Sequence, residues 1–240
     1  MSLDFPSNPT PGQVYQNYVW SATDGVWRAS NSAQTFPVQV SNGGTGAGTL
    51  AQAQDNLGVG LTNIPVGTLY KGASGTATVN STGRVDFSGT EFVTLANVFS
   101  SAFKNYRVIL RVAATVANVA LNIRYSNANT PDASAQYYIT RVDARAASVV
   151  AASASAGTTL PITDVNSTAL SPAFVSLDIF SPNLAETTQT LSNHSGYNAG
   201  GWFNGSAGSH FNVATTFDGF RLFPGSGLFT GFVEVFGYND

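Results

Sequence analysis

From about residue 84 onward, apolar side chains recur at every second position, and that period restricts the chain to pleated strands. Tyr106, Val108, Leu110 and Val112 point one way, with Arg107, Ile109 and Arg111 opposite. Val119, Leu121, Ile123 and Tyr125 repeat the pattern, with Asn122 and Arg124 outward; Val175, Leu177 and Ile179 alternate with Ser176 and Asp178. A strand sends successive side chains to opposite faces, whereas an amphipathic helix repeats about every 3.6 residues. Turn clusters such as Pro224-Gly225-Ser226-Gly227 separate the runs, and no long helical period intervenes. The expected fold is all-β, with a C-terminal antiparallel β-sandwich over residues 84–240. About 150 residues and roughly eight strands suit a jelly roll. The last run differs from the rest. Phe229, Val233 and Val235 share one face while Phe232, Phe236 and Tyr238 share the other. A strand apolar on both sides is either central or faces the core on one side and a subunit on the other; the subunit is the reading adopted.

Charge sets the next limits. The 240 residues carry 10 Lys plus Arg against 13 Asp plus Glu, a net charge of −3, and charged residues make up 10%. An ordinary domain has about 25%. No strong field is available to draw in nucleic acid or anionic lipid, so neither is expected as a partner. In place of charge stand 25 Ser, 25 Thr and 20 Asn, with Lys71 and Lys104 the only lysines. At 43% hydrophobic the chain can bury a core, so the composition is not that of disorder. A polar, nearly uncharged surface suits a protein covered by copies of itself or by an assembly. The absence of cysteine excludes a disulfide scaffold, a thiolate zinc site and a cysteine nucleophile. No run approaches the ~18 apolar residues of a membrane helix. Met-Ser-Leu-Asp-Phe-Pro at the N-terminus has neither basic nor apolar leader regions, so a secretory signal is not expected.

Ahead of the sandwich the chain reads as two further segments. In residues 1–36, three prolines between Pro6 and Pro11 keep the backbone extended. Val14–Trp20 and Val26–Ala29 then flank Thr23-Asp24-Gly25, and Asp-Gly between apolar runs is a strong hairpin signal. Residues 37–83 form a Gly-rich stalk with one short helix expected over 49–57. There Thr49 caps, Leu50, Ala53 and Leu57 share a face, and Gly58 supplies the left-handed position after the last turn. Two turns do not stand alone in water, so Leu50 and Leu57 need partners, which three-fold self-association provides. The run Asn42-Gly43-Gly44-Thr45-Gly46 lacks the Gly-Lys-Ser/Thr ending of a phosphate-binding loop.

Three stretches carry a resemblance. Residues 4–28, with Asp4-Phe5-Pro6, Gly12, Tyr15, Trp20 and Asp24-Gly25-Val26-Trp27, resemble a segment common near the N-termini of bacteriophage tail and virion proteins. Gly43-Gly44-Thr45-Gly46 followed by Ala53-Gln54-Asp55-Asn56-Leu57-Gly58 is similar to the Gly-Gly-Thr-Gly…Asn-Leu-Gly element of phage tail-fibre and collar proteins. Residues 219–238 are similar to the final hairpin of fibre-tip sandwiches. The resemblance implies a homotrimeric fibre located on the virion. Its N-terminal part, through Phe5, Tyr15, Trp20 and Trp27, would dock on other tail or baseplate proteins. Leu50, Leu57, Phe232, Phe236 and Tyr238 would line the trimer, and the distal sandwich would meet a host surface glycan or outer-membrane component. A head-decoration or capsid fibre without receptor binding is the alternative.

Candidate chemistry is sparse. His194 and His210 are the only imidazoles, too few for a metal site within one chain; no metal and no cofactor are expected, and both read as solvated loop histidines. Ser195 beside His194 is adjacency, not a triad. Glycoside cleavage needs two carboxylates about 5–10 Å apart, and nothing pairs Glu91, Glu186, Glu234 or Asp178, so an enzyme is not expected. Arg107, Arg111 and Arg124 read as sharing an outward face for subunit contacts. Tyr197 to Ser206 reads as a glycine-rich loop offering Tyr197, Trp202, Phe203 and Asn204 to a receptor. The competing reading folds Trp202 and Phe203 back to plug the core.

Overall fold

The computed structural model describes residues 5–29, 53, 62–145, 147–167, 171–198 and 201–238. The chain divides into two compact units, Met1–Val59 and Gly60–Asp240. The helix expected over 49–57 lies outside the described residues except for Ala53, and Leu50 and Leu57 lie outside them too.

In the first unit, β1 (Val14–Tyr15), β2 (Tyr18–Ser21) and β3 (Val26–Ala29) make a three-stranded antiparallel sheet. The Asp-Gly signal places the turn: Gly25 has φ 64°, its amide donates to the Ser21 carbonyl at 2.8 Å, and Ser21 Oγ donates to Asp24 at 2.6 Å. Trp20 and Trp27 are cross-strand partners, with ring centroids 5.7 Å apart. Phe5 stacks on Trp27 at 5.3 Å and meets Tyr15 at 5.9 Å. Phe5, Tyr15, Trp20 and Trp27, expected to dock elsewhere, are half-buried against one another. With so few residues, this aromatic face supplies the module's own cohesion.

The second unit is a β-sandwich. Its strands are β4 (Thr62–Asn63), β5 (Thr68–Lys71), β6 (Thr76–Val79), β7 (Val85–Thr90), β8 (Val93–Ala96), β9 (Asn105–Ala114), β10 (Val119–Asn127) and β11 (Thr130–Pro131). They continue as β12 (Tyr137–Arg145), β13 (Ser148–Gly157), β14 (Leu160–Val165), β15 (Ala173–Phe180), β16 (Thr187–Asn198), β17 (Gly201–Ala214), β18 (Gly219–Pro224) and β19 (Phe229–Tyr238). The larger sheet runs β13-β12-β17-β16-β15-β9-β19-β7-β6, with β4 also against β19. The smaller runs β11-β10-β18-β8-β5, with β14 also against β10. Setting aside two hairpins, the chain from β7 to β19 crosses between the sheets at every step but β10 to β14, which gives β7-β19-β9-β15 facing β8-β18-β10-β14. That is jelly-roll topology. The hairpins β12–β13 and β16–β17 are insertions that both extend the larger sheet beyond β15.

The apolar alternation delivers the core as expected. Val108, Leu110, Leu121, Ile123, Val175, Leu177, Leu222, Val233 and Val235 are all buried. The sandwich starts earlier than residue 84, however. Within the expected stalk of 37–83, β4, β5 and β6 pair with β19, β8 and β7, and Ile64 joins the core. Polar and glycine content hid these strands, because each pairs on one side only and none of their described side chains is fully buried.

Candidate functional site

The region read as a glycine-rich loop is regular structure. β16 and β17 are 12 and 14 residues long and pair from Asn198↔Gly201 to Thr187↔Ala214. The expected loop fails because β16 turns polar side chains inward: Thr188, Thr190, Ser192 and His194 are buried on the sandwich side. Thr190 and His194 find their partners elsewhere in the fold, whereas the Thr188 and Ser192 hydroxyls are buried without one among the described residues. Tyr125 and Thr190, for example, share a short hydroxyl–hydroxyl hydrogen bond, and burial pushes the Tyr125 phenol well above its ordinary value.

Strand geometry then separates the four expected receptor residues. Tyr197 and Trp202 are register partners on the outer face, edge-on with centroids 5.5 Å apart, and Trp202 is 61% exposed. Asn204 follows on the same face and is exposed. Phe203 does not join them. One residue along a strand reverses the face, and Phe203 is buried at 1%, with its ring against Gly196 and within 5.9 Å of His194. The plug reading holds for Phe203 and the surface reading for Trp202.

Beneath this face lies a buried charged cluster that the sequence reading missed. Arg141 Nε and Nη2 donate to the two oxygens of Asp143 at 2.8 and 2.7 Å, and Nη2 also donates to Asp164 at 3.3 Å. Arg145 reaches Asp143 at 3.4 Å, and Asn198 donates to Asp164 at 3.2 Å. His194 Nε2 lies 2.9 Å from Asp143 Oδ1, and its side chain is fully buried. Burial lowers the His194 pKa and outweighs the opposing bond to Asp143, so the imidazole is neutral and donates from Nε2. Burial alone would raise Asp143, but the Arg141 and His194 bonds outweigh it and hold the carboxyl below its ordinary value. Gly205 permits this approach: a Cβ there would sit 2.4 Å from both Asp143 Oδ1 and His194 Nε2. His194 is therefore a core residue rather than a solvated loop histidine. A histidine–carboxylate pair also begins a nucleophilic triad, but among the described residues nothing hydrogen-bonds His194 Nδ1.

Comparison with protein-family models, with curated proteins and with solved structures gives no match.

The remaining candidates fall in separate places. Phe232, Phe236 and Tyr238 share the outer face of β19, each half-buried. The Arg84 guanidinium lies 4.9 Å above the Phe232 ring, and Tyr238 donates to Asp178 at 3.4 Å. Asp178 also takes a bidentate bond from Arg107 at 2.8 and 2.9 Å across β9 and β15. Arg111 sits 5.9 Å from the Phe174 ring on that same sheet. Arg124 does not share this face: it belongs to the smaller sheet, over Phe223 at 5.1 Å. Glu91 accepts from Ser74 Oγ at 2.6 Å and from its amide, and these bonds lower its pKa. Among the described residues no three His, Asp or Glu side chains gather as metal ligands.

Proposed function

We propose that this protein is a bacteriophage tail-fibre protein, homotrimeric on the virion, whose C-terminal sandwich binds the host-cell surface. The N-terminal resemblance supports docking on other tail or baseplate proteins. The observation that carries the binding role is Trp202. A large aromatic, 61% exposed beside Tyr197 at the end of a long hairpin, contributes nothing to the core and shares its face of the hairpin with Asn204, Ser195 and Asn193. An exposed ring flanked by amides and hydroxyls stacks on the C–H face of a sugar while its neighbours hydrogen-bond the rest. Three such heads on one fibre raise avidity well above single-site affinity through effective concentration.

The test is competition of adsorption by purified protein. Wild-type protein blocks infection of host cells, and Trp202→Ala, melting at the wild-type temperature, blocks at least about tenfold less well. Unchanged blocking by Trp202→Ala removes the receptor role from this residue. Protein that fails to compete and localises to phage heads fits a decoration fibre instead.

A further inference from the structure

Some eight residues along β17 from Trp202, about 26 Å at the usual strand rise, the outer face of the larger sheet holds a groove of about 770 Å³. Its walls come from four strands: Tyr138 and Thr140 on β12, Ser153 on β13, Gln189 and Leu191 on β16, His210 on β17. Tyr138 and His210 are register partners whose rings lie parallel, 4° apart in plane and 5.0 Å between centroids. Leu191 stands one row along, beside Gly208, and is 56% exposed. Among the described residues, no carboxylate, ammonium or guanidinium lines the groove.

Gly208 is the telling residue. Glycine inside a strand costs about 0.5–1 kcal/mol and is normally explained by a positive φ, a bulge or close approach of another chain segment. None applies here. Gly208 is not among the residues with positive φ, and its pairing with Thr140 and Leu191 is in register. A Cβ would meet nothing nearer than Leu191 Cδ2 at 3.8 Å and Thr140 Oγ1 at 3.9 Å. What its missing side chain preserves is the open floor of the groove.

We propose that this groove is a second binding site, distinct from Trp202, for a neutral oligosaccharide. A volume of this order is that of ordinary ligand sites. The parallel rings in one row and Leu191 in the next offer apolar surface to the C–H faces of a sugar. The hydroxyls of Thr140 and Ser153 and the amide of Gln189 offer both donors and acceptors to sugar hydroxyls. An acidic glycan or phosphate finds no cation here to offset its desolvation. The inference deepens the surface-binding reading and rests on the sandwich having a ligand, but it does not need the virion.

The experiment is binding of the full chain to a printed glycan array carrying neutral and acidic oligosaccharides, with Gly208→Val, His210→Ala and Trp202→Ala alongside. Valine favours strands and fills the groove floor, so Gly208→Val is expected to melt no lower than wild type. Wild type binds neutral glycans; Gly208→Val loses at least about tenfold of that signal, and His210→Ala, which removes half of the ring wall without adding volume, weakens it too. Trp202→Ala retains binding to the groove's ligand. Preference for acidic glycans, no retained neutral glycan, or wild-type binding by both groove variants overturns the groove. Loss in Trp202→Ala with both groove variants unaffected overturns the groove and leaves the surface reading standing.

Discussion

Gly205 decides whether the buried cluster can exist at all. Any Cβ at this position collides with Asp143 and His194 together, and neither can retreat because Arg141 holds the carboxylate by two bonds. Gly205→Ala is expected to cost about 2–3 kcal/mol, read from the denaturant midpoint. Asp143→Asn leaves the Arg141 guanidinium buried with half its charge partner gone, and about 3–5 kcal/mol is the usual cost of breaking such a pair. The pH dependence has a fixed sign. His194 binds its proton less tightly folded than unfolded, so its contribution is complete above the ordinary value of 6.5 and is lost as pH falls toward the depressed folded value. Asp143 acts in the same direction lower down, complete above 3.8 and lost as pH falls through its lowered folded value. The melting temperature is expected to fall between about pH 7 and pH 5, and His194→Gln to flatten that fall. Equal slopes in the two proteins would exclude His194 as the cause.

Among the elements, legibility followed how much apolar surface a strand turns inward. β9, β10 and β15 turn an unbroken apolar row inward over eight to ten positions and were readable from residue types alone. β13, Ser148–Gly157, has no alternation to read because all but its last residue is exposed on both faces. β16 alternates in burial but not in polarity, since its inward row is Thr188, Thr190, Ser192 and His194. The strands before residue 84 matter more than their composition suggests. β5 covers the edge of β8 and β6 that of β7, while Ile64 and Leu69 pack on the core. A fragment of residues 60–240 is therefore expected to melt at least about 5 °C above one of residues 84–240. Coincident melting would make β4, β5 and β6 dispensable.

For the whole molecule, the open question is what meets the outer face of β19. Phe232, Phe236 and Tyr238 are only half-buried there, three aromatic side chains in a row on the outward side of the strand. If copies of the chain close around it, light scattering reads three times the chain mass of 25.0 kDa, and Phe232→Glu with Phe236→Glu returns a monomer of intact fold. A monomeric wild type would end the trimer proposal and leave the sandwich unaffected. The scale of the molecule also explains the missed site. Tyr138 and His210, or Thr140 and Gly208, become neighbours only when the two inserted hairpins lie side by side, and no local spacing announces that.

What the amino-acid order determined by itself was the pleated character of the sandwich and the identity of most core residues, because a period of two is a property of neighbours along the chain. Only the tertiary structure decided that β16 and β17 are strands, that Trp202 faces water while Phe203 does not, and that His194 is buried. Each depends on a partner far away in sequence. Asp143, 51 residues from His194, supplies the bond without which a buried imidazole would be too costly to keep, and such long-range compensation leaves no mark on local pattern.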